Sequence, residues 1–454
     1  MNKVSLTEAY KKRLSICESV YAKTHENSAM SVNLKETVAK VLSNTSEYIK
    51  FRCMKESFGN SVGTQRADMG DFKKFTLDVT TVTLPSLIAN DLVMVVSMPS
   101  FTGSIQYYKF IAGSNKGGIK QGETEFNSPF ALGPMSDERV AYTSAAVTDI
   151  IMPDGAGKAF LAWTPISAAF APEIVGGESG ASIEVVNAET GEVKVTGTSA
   201  SIVRVKYLYD NVRIPQNDLP TYNVKVERIP LEAKARRIAI YYSQMAAFQA
   251  QQENNVDLGK LLQTQAVGEL QYEIDTEVVK LLAESAPKDV TLRFNKTVPT
   301  GVSKAEHYEG FSEIIEKASQ VIYDRTGKHA ANYMICSSSI KTMLPLMRGW
   351  KAASSAKISG PYFAGTLNGL KVFVSPAIAP GKFVCGFNGD DLATSAAVLA
   401  HYMAIVPTAL LQFADGGNTQ GFSTLYDLKL LNEALLVAGE VVEEPQVVLT
   451  KEVA

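Results

Sequence analysis

The side chains that most often carry catalysis or bind metals are sparse in this sequence, and they are scattered along it. Histidine occurs at four positions: His25, His307, His329 and His401. No two of them are spaced as HExxH or HxxxH, the spacing that turns two imidazoles toward one zinc ion from a single helix face. His401 lies in an apolar run, which favours a core residue. The acidic pair Asp390-Asp391 follows a glycine and is typical of a turn, and Glu443-Glu444 is typical of a solvated surface.

Glycine-rich loops that bind phosphate groups are equally hard to find. Gly157-Lys158 lacks the earlier glycine of a phosphate-binding loop, because Met152 stands in its place and Ala159 follows the lysine. The run GSNKGG at residues 113–118 does not lead from a strand into a patterned helix, so we interpret it as a flexible loop. No GxGxxG opens a βαβ unit and no GxSxG elbow occurs. We therefore predict that the protein is not an enzyme, with no catalytic, cofactor-binding or metal-binding residues and no cofactor.

Composition and charge narrow the class of protein further. Hydrophobic residues make up 46% and charged residues 20% of the 454 residues, which is typical of a folded protein of about three domains. No apolar run approaches the ~20 residues of a membrane helix, so no membrane association is expected. The net charge of −3 lacks the basic excess of nucleic-acid readers. The four cysteines have no CxxC spacing and are expected to be reduced thiols: Cys17, Cys53, Cys336 and Cys385.

The N-terminal part, residues 1–75, is polar and helix-prone. Two amphipathic stretches, Leu6–Val20 and Leu34–Ile49, roughly follow helical spacing. A segment rich in Gly, Ser and Asn, Phe58–Gly70, separates them from the rest of the chain. We expect either a loosely attached tail or an arm that docks on a neighbouring molecule, and the sequence leaves both open.

Residues 76–222 carry short β-like patterns, and residues 111–222 have little helical signal. Within residues 76–110, short apolar runs predict strands at Leu84–Ile88, Leu92–Val96 and Ile105–Phe110. Residues 111–222 form a β-rich excursion dense in small residues. A hairpin is expected there between Ile183–Asn187 and Glu192–Thr196, with Gly191 at positive φ in the turn. A further strand follows, with Val203, Val205, Tyr207 and Tyr209 on one face.

The character of the chain changes sharply in residues 223–300. A stripe of apolar residues recurs every four positions: Leu258, Leu262, Ala266, Leu270, Ile274, Val278 and Leu282. Because a helix repeats every 3.6 residues, this stripe precesses by ~40° per step. One long helix is therefore expected to contact different neighbours along its length, as a central spine does. The alternative is an ordinary core helix that breaks near Gly268.

Residues 301–430 alternate between helix and strand, which predicts a compact α/β unit. Its first helix carries Phe311 and Ile322 and ends at Gly327. Strands and one short helix are predicted at Tyr333–Cys336, Ser339–Leu346 (the helix), Leu370–Val374, Phe383–Phe387 and Val398–Met403. The last apolar run, Leu425–Val442, is expected to be a long strand or a hairpin, so that residues 431–454 form a C-terminal strand and tail.

The order of these segments resembles the major capsid proteins of tailed bacteriophages, in the T-even-like branch of the Hong Kong-type capsid fold. Four stretches carry the resemblance: LPSLIANDLVMVVSMPSFTGSIQY (Leu84–Tyr107), VKVERIPLEA (Val224–Ala233), the helical segment Asn255–Val279, and FAGTLNGLKVFVSP (Phe363–Pro376). Ser375 departs from the pattern, since an acidic residue is expected there. The resemblance covers roughly residues 80–440.

The resemblance implies an α+β fold with the parts of that family. These are an N-terminal arm (1–75), P-domain entry strands (76–110), an extended E-loop with a possible small β insertion (111–222), a P-domain with the spine helix (223–300), an A-domain (301–430) and a C-terminal strand and tail (431–454). It further implies a structural subunit of an icosahedral or prolate phage head. Such subunits self-assemble into hexamers and pentamers around packaged double-stranded DNA.

Partners and location follow from the same resemblance. Other copies of the chain are the main expected partner, and portal, scaffold and decoration proteins are further ones. Packaged DNA is expected nearby without specific binding. The expected location is the virion, after assembly in the host cytoplasm.

Three other interpretations remain open on the sequence alone. The chain can be the shell protein of an encapsulin-type nanocompartment, which shares the fold. It can be a cytoplasmic enzyme whose site is formed by residues far apart in sequence. It can also be a tail-sheath or tail-tube protein, which assembles into tubes instead of closed shells.

Overall fold

The structure is a computed structural model that divides into two compact units. It describes residues 8–25, 28–58, 77–113, 121–122, 146–154, 156–176, 181–197, 202–210, 221–353, 360–408, 411–413 and 416–443. Unit 1 comprises Met1–Tyr107, Arg228–Ile322 and His329–Ala454. Unit 2 comprises Tyr108–Glu227 and Tyr323–Lys328. The predicted mixture of helices and sheets is present in the described residues.

The helices are concentrated in the N-terminal part and around the spine. They are α1 (Glu8–Thr24), α2 (Val32–Phe58), α3 (Ala89–Leu92), α4 (Gln244–Asn254), α5 (Leu258–Ser285), α6 (Lys304–Thr326) and α7 (Ser338–Lys341). Residues 77–83 are also helical. Short 3-10 helices lie at Leu344–Leu346, Leu392–Thr394 and Glu433–Leu435. None of these described helices is both long and apolar enough to cross a membrane.

A five-stranded sheet forms one layer of unit 1. Its strands are β1 (Met94–Ser97), β10 (Lys234–Ser243), β17 (Ala397–Pro407), β18 (Leu411–Gln412) and β19 (Gly417–Leu430). The strand order is β1-β17-β19-β10, and β18 also pairs with β19. Only β1 and β17 run parallel, while β17, β10 and β18 each run antiparallel to β19.

A seven-stranded sheet forms the α/β part of unit 1. Its strands are β11 (Lys288–Asn295), β12 (Tyr333–Cys336), β13 (Trp350–Ala352), β14 (Tyr362–Leu367), β15 (Leu370–Val374), β16 (Lys382–Gly386) and β20 (Leu436–Val442). The order is β11-β20-β16-β12-β15-β14-β13. β12 is buried at every position, as expected of an uninterrupted apolar run in the middle of a covered sheet. The strands predicted at Tyr333–Cys336 and Leu370–Val374 are present with these bounds.

The spine helix, α5, is one continuous helix of 28 residues. Asp257 caps its first turn, because its side chain accepts a hydrogen bond from the Lys260 N–H. Ala266 and Leu270 pack in a small cluster with Phe422 of the five-stranded sheet. Ile274, Val278 and Leu282 instead belong to the large core that includes the seven-stranded sheet. The precession of the apolar stripe is thus confirmed, and the alternative of a break near Gly268 is wrong.

The N-terminal helices pack on unit 1 of their own chain. Cys17, Tyr21, Leu34, Val38 and Leu42 are buried in the large core. The two predicted helices are present. A loosely attached tail is wrong for α1 and the described side chains of α2, which pack on their own chain, and docking of this arm on a neighbouring molecule stays a prediction. The apolar stripes of these helices find enough complementary surface on the same chain to be buried there.

Two strand predictions in unit 1, at Leu84–Ile88 and at Leu425–Val442, are wrong in detail. Leu84–Ile88 forms turns between the helical residues 77–83 and α3, although Leu84 and Leu87 are buried. The apolar pattern at Leu84–Ile88 predicted burial correctly. Pro85 interrupts the backbone pairing that a strand requires. Leu425–Val442 is neither one long strand nor a hairpin. Its first part ends β19, and its second part, β20, pairs with β11 and β16 of the other sheet.

Unit 2 contains a small β-structure with its own core. One sheet has β8 (Val203–Leu208) between β3 (Ala146–Ile151) and β5 (Glu173–Gly176). The other has β7 (Glu192–Thr196) between β4 (Lys158–Phe160) and β6 (Ser182–Asn187). The β6–β7 hairpin is confirmed, with Gly191 at φ 73°. Val193, Val195, Val203, Val205 and Tyr207 are buried together.

The remaining sheet is a two-stranded ribbon of β2 (Thr102–Ala112) and β9 (Tyr222–Glu232). The chain passes between the two units within these strands, at residues 107–108 and 227–228. Pro230 is tolerated in β9 because an edge strand has backbone donors that need no ladder partner.

Candidate functional site

The four histidines are dispersed in the folded chain. His307 lies at the start of α6, with Nε2 2.8 Å from the carbonyl oxygen of Asn295, and His329 stacks on Phe387. His401 is buried in β17, as predicted, and neither ring nitrogen has a hydrogen-bond partner. Burial lowers its pKa to about 4, so the ring is neutral near pH 7. Within the described ranges, no three His, Cys, Asp or Glu side chains gather as metal ligands.

The described cysteines lie in the core. Cys17, Cys336 and Cys385 are free and buried. Burial raises the pKa of the Cys17 and Cys336 thiols to about 12, and it raises that of Cys385 further. Thiols with such pKa values stay protonated and are poor nucleophiles, and these three cysteines are free, as expected of reduced thiols.

The structure brings together a buried polar cluster that no spacing in the sequence predicted. We call it the ionic junction: Tyr21, His25, Asp91, Asp275 and Lys371. His25 follows α1, Asp91 lies in α3, Asp275 in the spine helix and Lys371 in β15. All belong to unit 1, and the junction therefore ties the N-terminal helices, the spine and the seven-stranded sheet to one another.

His25 and Asp91 form the centre of the ionic junction. The Nδ1 atom of His25 lies 2.5 Å from Oδ2 of Asp91, and Nε2 lies 3.1 Å from the carbonyl oxygen of Pro85. Oxygen acceptors therefore face both ring nitrogens of His25. The Tyr21 ring stacks on this imidazole with centroids 4.2 Å apart.

Lys371 completes the charge balance of Asp91. Its Nζ donates to Oδ1 of Asp91 over 2.9 Å, so each carboxylate oxygen faces a nitrogen atom of a different side chain. Burial alone would raise the pKa of Asp91, but the hydrogen bonds and charges of His25 and Lys371 outweigh it and lower that pKa. Asp91 is therefore ionised near pH 7.

Asp275 reaches the junction from the spine helix. Its Oδ1 accepts a hydrogen bond of 3.1 Å from the Ala89 N–H at the start of α3. Burial raises its pKa to about 7, against the opposing effects of backbone hydrogen bonds from Ala89 and Ile88 and the charge of His25. The N-terminus of α3 thus attaches to the spine through one buried carboxyl. In the sequence, Asp275 directly follows Ile274 of the apolar stripe, and this position was the only sign that it lies near the core.

A second polar cluster joins the spine to the five-stranded sheet. Arg236 of β10 donates to both carboxylate oxygens of Glu277, over 2.8 and 3.1 Å. The Tyr426 hydroxyl of β19 donates to the same carboxylate over 2.5 Å, and the Arg236 guanidinium lies 5.2 Å from the Tyr426 ring. One guanidinium nitrogen of Arg236 makes both hydrogen bonds, and bonds between charged groups are stronger than neutral ones. Both clusters join helices and sheets of unit 1 to one another.

Residues 223–226 of β9 are exposed on both faces of the β2–β9 ribbon, whereas Ile105 and Leu231 nearer unit 1 are buried. Four consecutive residues of β9, Asn223, Val224, Lys225 and Val226, are exposed, and successive strand residues point to opposite faces. Val224 and Val226 are 55% and 48% exposed, and Tyr108 of β2 is 60% exposed. A two-stranded ribbon is at best marginally stable in water by itself. This arrangement is typical of a strand pair that packs on another molecule.

Comparison with known proteins identifies the class to which these features belong. The profile of the family described as Major capsid protein Gp23 matches residues 69–445. The chain therefore belongs to this family of major capsid proteins. Family membership together with the observed helices and sheets confirms the predicted α+β capsid fold.

Individual relatives are distant. The major capsid protein of Vibrio phage KVP40 is 22% identical over 240 residues, which are 47% of this chain and 46% of that protein. The chain thus matches about half the length of this curated relative.

Solved structures align with low scores. The capsid of Myoviridae phage XM1 aligns with a TM-score of 0.36 and 9% identity, covering 66% of this chain and 86% of the other. The SrpI encapsulin of Synechococcus elongatus aligns with a TM-score of 0.32 and 10% identity, covering 50% and 79%. The family assignment rests on the sequence profile.

Proposed function

We propose that this chain is the structural subunit of an icosahedral or prolate phage head. Copies of it assemble into hexamers and pentamers, which enclose packaged double-stranded DNA. The observation that carries this proposal is the family match over residues 69–445. On this proposal the chain repeats one set of contacts between identical copies with small angular variation, and it is not an enzyme.

The exposed β2–β9 ribbon supports self-association. Because neither face of β9 is covered at residues 223–226, the ribbon gains stability when a second copy covers it. Strand addition at the edge of the ribbon would supply backbone hydrogen bonds with little demand on side-chain identity. On this proposal the ribbon and the β-rich excursion reach over a neighbouring subunit in the shell.

The parts of the chain take the roles that the family suggests. We assign residues 76–110 and 223–300 to the P-domain with its spine, residues 301–430 to the A-domain and residues 111–222 to an E-loop that carries a small β-domain. The separate core of unit 2 supports the β insertion. Residues 1–75 are the N-terminal arm and residues 431–454 the C-terminal strand and tail.

The remaining partners follow from assembly into a head. Portal, scaffold and decoration proteins are proposed partners, and the virion is the proposed location. A net charge of −3 favours an inner wall past which DNA slides without binding tightly, because phosphate contacts need an excess of Lys and Arg.

The size and shape of the assembled protein test this proposal. Purified or co-expressed full-length chain is measured by mass photometry and negative-stain electron microscopy. Rings or closed particles of megadalton mass are the expected result. A monomer or small discrete oligomer at every concentration up to ~100 µM would overturn the proposal in favour of an enzyme, and open tubes would overturn it in favour of a tail protein.

Cargo separates a phage head from an encapsulin-type compartment. Particles purified from cells that make the whole phage are expected to contain long double-stranded DNA. Particles that enclose only folded protein cargo would favour the encapsulin alternative.

A further inference from the structure

The first helix, α1, is held on unit 1 by little buried surface. Among residues 11–24, only Cys17 and Tyr21 are buried. The ion pair between Arg13 and Asp78 joins side chains that are 19% and 57% exposed, and partly exposed pairs of this kind add little stability. The second helix, α2, buries a longer stripe, which comprises Leu34, Val38, Val41, Leu42 and Ile49. Elements with few buried contacts open first in a folded protein, so the polar contacts at the end of α1 have a large effect on its attachment.

His25 directly follows α1 and supplies those polar contacts. Its ring is buried, with Oδ2 of Asp91 beside Nδ1 and the carbonyl oxygen of Pro85 beside Nε2. A neutral imidazole carries one N–H and donates to only one of two such oxygens, whereas a protonated ring donates to both. Gaining a proton therefore adds a hydrogen bond at the end of α1.

The Asp275 carboxyl reaches the same junction from the spine helix and favours its protonated form for a different reason. It is buried, and its Oδ1 accepts a hydrogen bond from the Ala89 N–H. Burial raises its pKa from an ordinary value of 3.8 to about 7, against backbone hydrogen bonds from Ala89 and Ile88 and the charge of His25. Proton binding near neutral pH thus occurs inside the contact between α3 and the spine.

The other titratable groups of the ionic junction come from α1, α3 and β15. Burial and the charge of Asp91 raise the pKa of Tyr21, so its hydroxyl stays protonated. Burial opposes the ionisation of Asp91, but the hydrogen bonds and charges of His25 and Lys371 lower its pKa. The changes of charge near neutral pH therefore fall on His25 and Asp275.

The direction of the pH dependence follows from these contacts. Water enters the junction when α1 opens, and the pKa of Asp275 then returns toward its ordinary value of 3.8. The stabilisation that the Asp275 proton gives to the closed form is complete below about pH 4 and is lost as the pH rises through about 7. The second hydrogen bond of a protonated His25 acts in the same direction.

We propose that the ionic junction is a proton-dependent latch, which holds α1 on unit 1 at mildly acidic pH and releases it as the pH rises. The latch lies within unit 1 and does not depend on whether the chain builds a shell. Release frees α1 to dock elsewhere, so that a packed arm and a docked arm are two states of one segment.

Chemical labelling of Cys17 tests the release of α1. This thiol is fully buried within α1 and donates to the Thr81 carbonyl over 3.3 Å, so N-ethylmaleimide reaches it only when α1 opens. Cys336 and Cys385 are fully buried in the seven-stranded sheet, and they measure unfolding of the rest of unit 1. Full-length protein is labelled at pH 5, 6, 7 and 8, and peptide mass spectrometry gives the rate at each cysteine. Labelling in urea at each pH corrects for the ionisation of the thiols.

The corrected rate at Cys17 should rise at least about ten-fold between pH 5 and pH 8. Asp275→Asn keeps an oxygen for the Ala89 N–H without a charge, and it should lose most of this rise. His25→Gln cannot gain a proton and should label about five-fold faster than the wild type at pH 5, the effect of one lost hydrogen bond. The double variant D275N/H25Q should show no rise.

Asp390→Asn is the matched control for these variants. Asp390 is exposed, and its backbone carbonyl accepts a hydrogen bond from Asn33 of α2. The substitution makes the same chemical change as Asp275→Asn beside the N-terminal helices but outside the ionic junction, so labelling should follow the wild type at every pH.

The outcomes separate a latch from general unfolding. Circular dichroism at each pH verifies that every variant folds. Equal corrected rates at Cys17 at pH 5 and pH 8, or a full rise in the double variant, would overturn the latch. Labelling of Cys336 and Cys385 with the same pH dependence would also overturn it, because unit 1 would then open as a whole. The capsid proposal is tested separately by particle mass, so it stands or fails independently of these rates.

Discussion

Asp91 and Asp275 are both buried in the ionic junction, yet their pKa values move in opposite directions. Asp91 faces the cations His25 and Lys371, and their effect exceeds that of burial. Burial raises the pKa of Asp275 to about 7. The backbone N–H groups that donate to this carboxyl oppose that effect without outweighing it. The nearest charge, more than the depth of burial, decides which of these carboxyl groups is ionised.

Replacing Asp275 with asparagine should remove a pH dependence of stability. The pKa of Asp275 is about 7 in the folded chain against an ordinary value of 3.8. Folding therefore takes up a proton between these values, and stability falls as the pH rises from about 4 to 7. Asparagine keeps an oxygen for the Ala89 N–H without a charge. At pH 8 the free energy of unfolding of D275N should exceed that of the wild type by about 2–4 kcal/mol.

Urea unfolding at pH 5 and at pH 8 measures this effect, and the gap between D275N and the wild type should be smaller at pH 5. Glu313→Gln is a suitable control, because that carboxylate is exposed and pairs only with Lys317 one turn away. An equal gap at both pH values would contradict the shifted pKa of Asp275.

At the scale of elements, the spine helix shows how one sequence pattern serves two cores. Its first half packs with the five-stranded sheet and its second half with the large core. A four-residue repeat on a 3.6-residue helix has this consequence, because each apolar side chain is rotated from the one before. Gly268 lies at a position where an added Cβ would have no atom within 4 Å, so the glycine is not required by packing.

Two substitutions in the spine helix should therefore have opposite effects. Leu282→Ala removes a fully buried side chain and should cost about 2–5 kcal/mol of stability. Gly268→Ala replaces a flexible residue in a helix interior, where the added methyl group meets open space. It should stabilise the chain by up to about 1 kcal/mol.

Thermal unfolding of both spine variants beside the wild type measures these effects. A destabilised Gly268→Ala variant would show that the helix bends or is in close contact at that position.

At the scale of the whole molecule, the chain has two units with separate hydrophobic clusters. The core of unit 2 contains Val193 and Val205, and the large core of unit 1 contains Val372 and Leu436. Separate cores allow separate cooperative opening, because each cluster can lose its packing while the other keeps its own. The two units are expected to unfold in separate transitions, so the effects of the Asp275, Leu282 and Gly268 substitutions are measured on the transition of unit 1.

Hydrogen exchange should report this separation. Val205→Ala removes buried methyl groups at a cost of about 1–3 kcal/mol, and it should accelerate exchange in the strands β3 to β8 of unit 2, with unit 1 unchanged. Val372→Ala is the matched variant and should accelerate exchange in the seven-stranded sheet, with unit 2 unchanged. Mass spectrometry after peptic digestion resolves these segments. Faster exchange in both units with either variant would show that the two cores open together.

Local patterns determined which elements form. The stripe from Leu258 to Leu282 indicated the spine, the alternation at Val203, Val205 and Tyr207 indicated β8, and Gly191 marked the hairpin turn. These features depend on neighbours in sequence and on the periods of helix and strand. Pro85 shows the limit, since apolar residues around it predicted burial but not the turn they form.

The sequence by itself therefore determined the helices, most of the strands, the α+β class and the likeness to capsid proteins. Only the tertiary structure decided that His25, Asp91, Asp275 and Lys371 meet, that the run Leu425–Val442 divides between two sheets, and that the N-terminal helices lie against their own unit. The reason is physical: periodicity records which face of an element is apolar, but the partner of that face depends on packing among all elements at once.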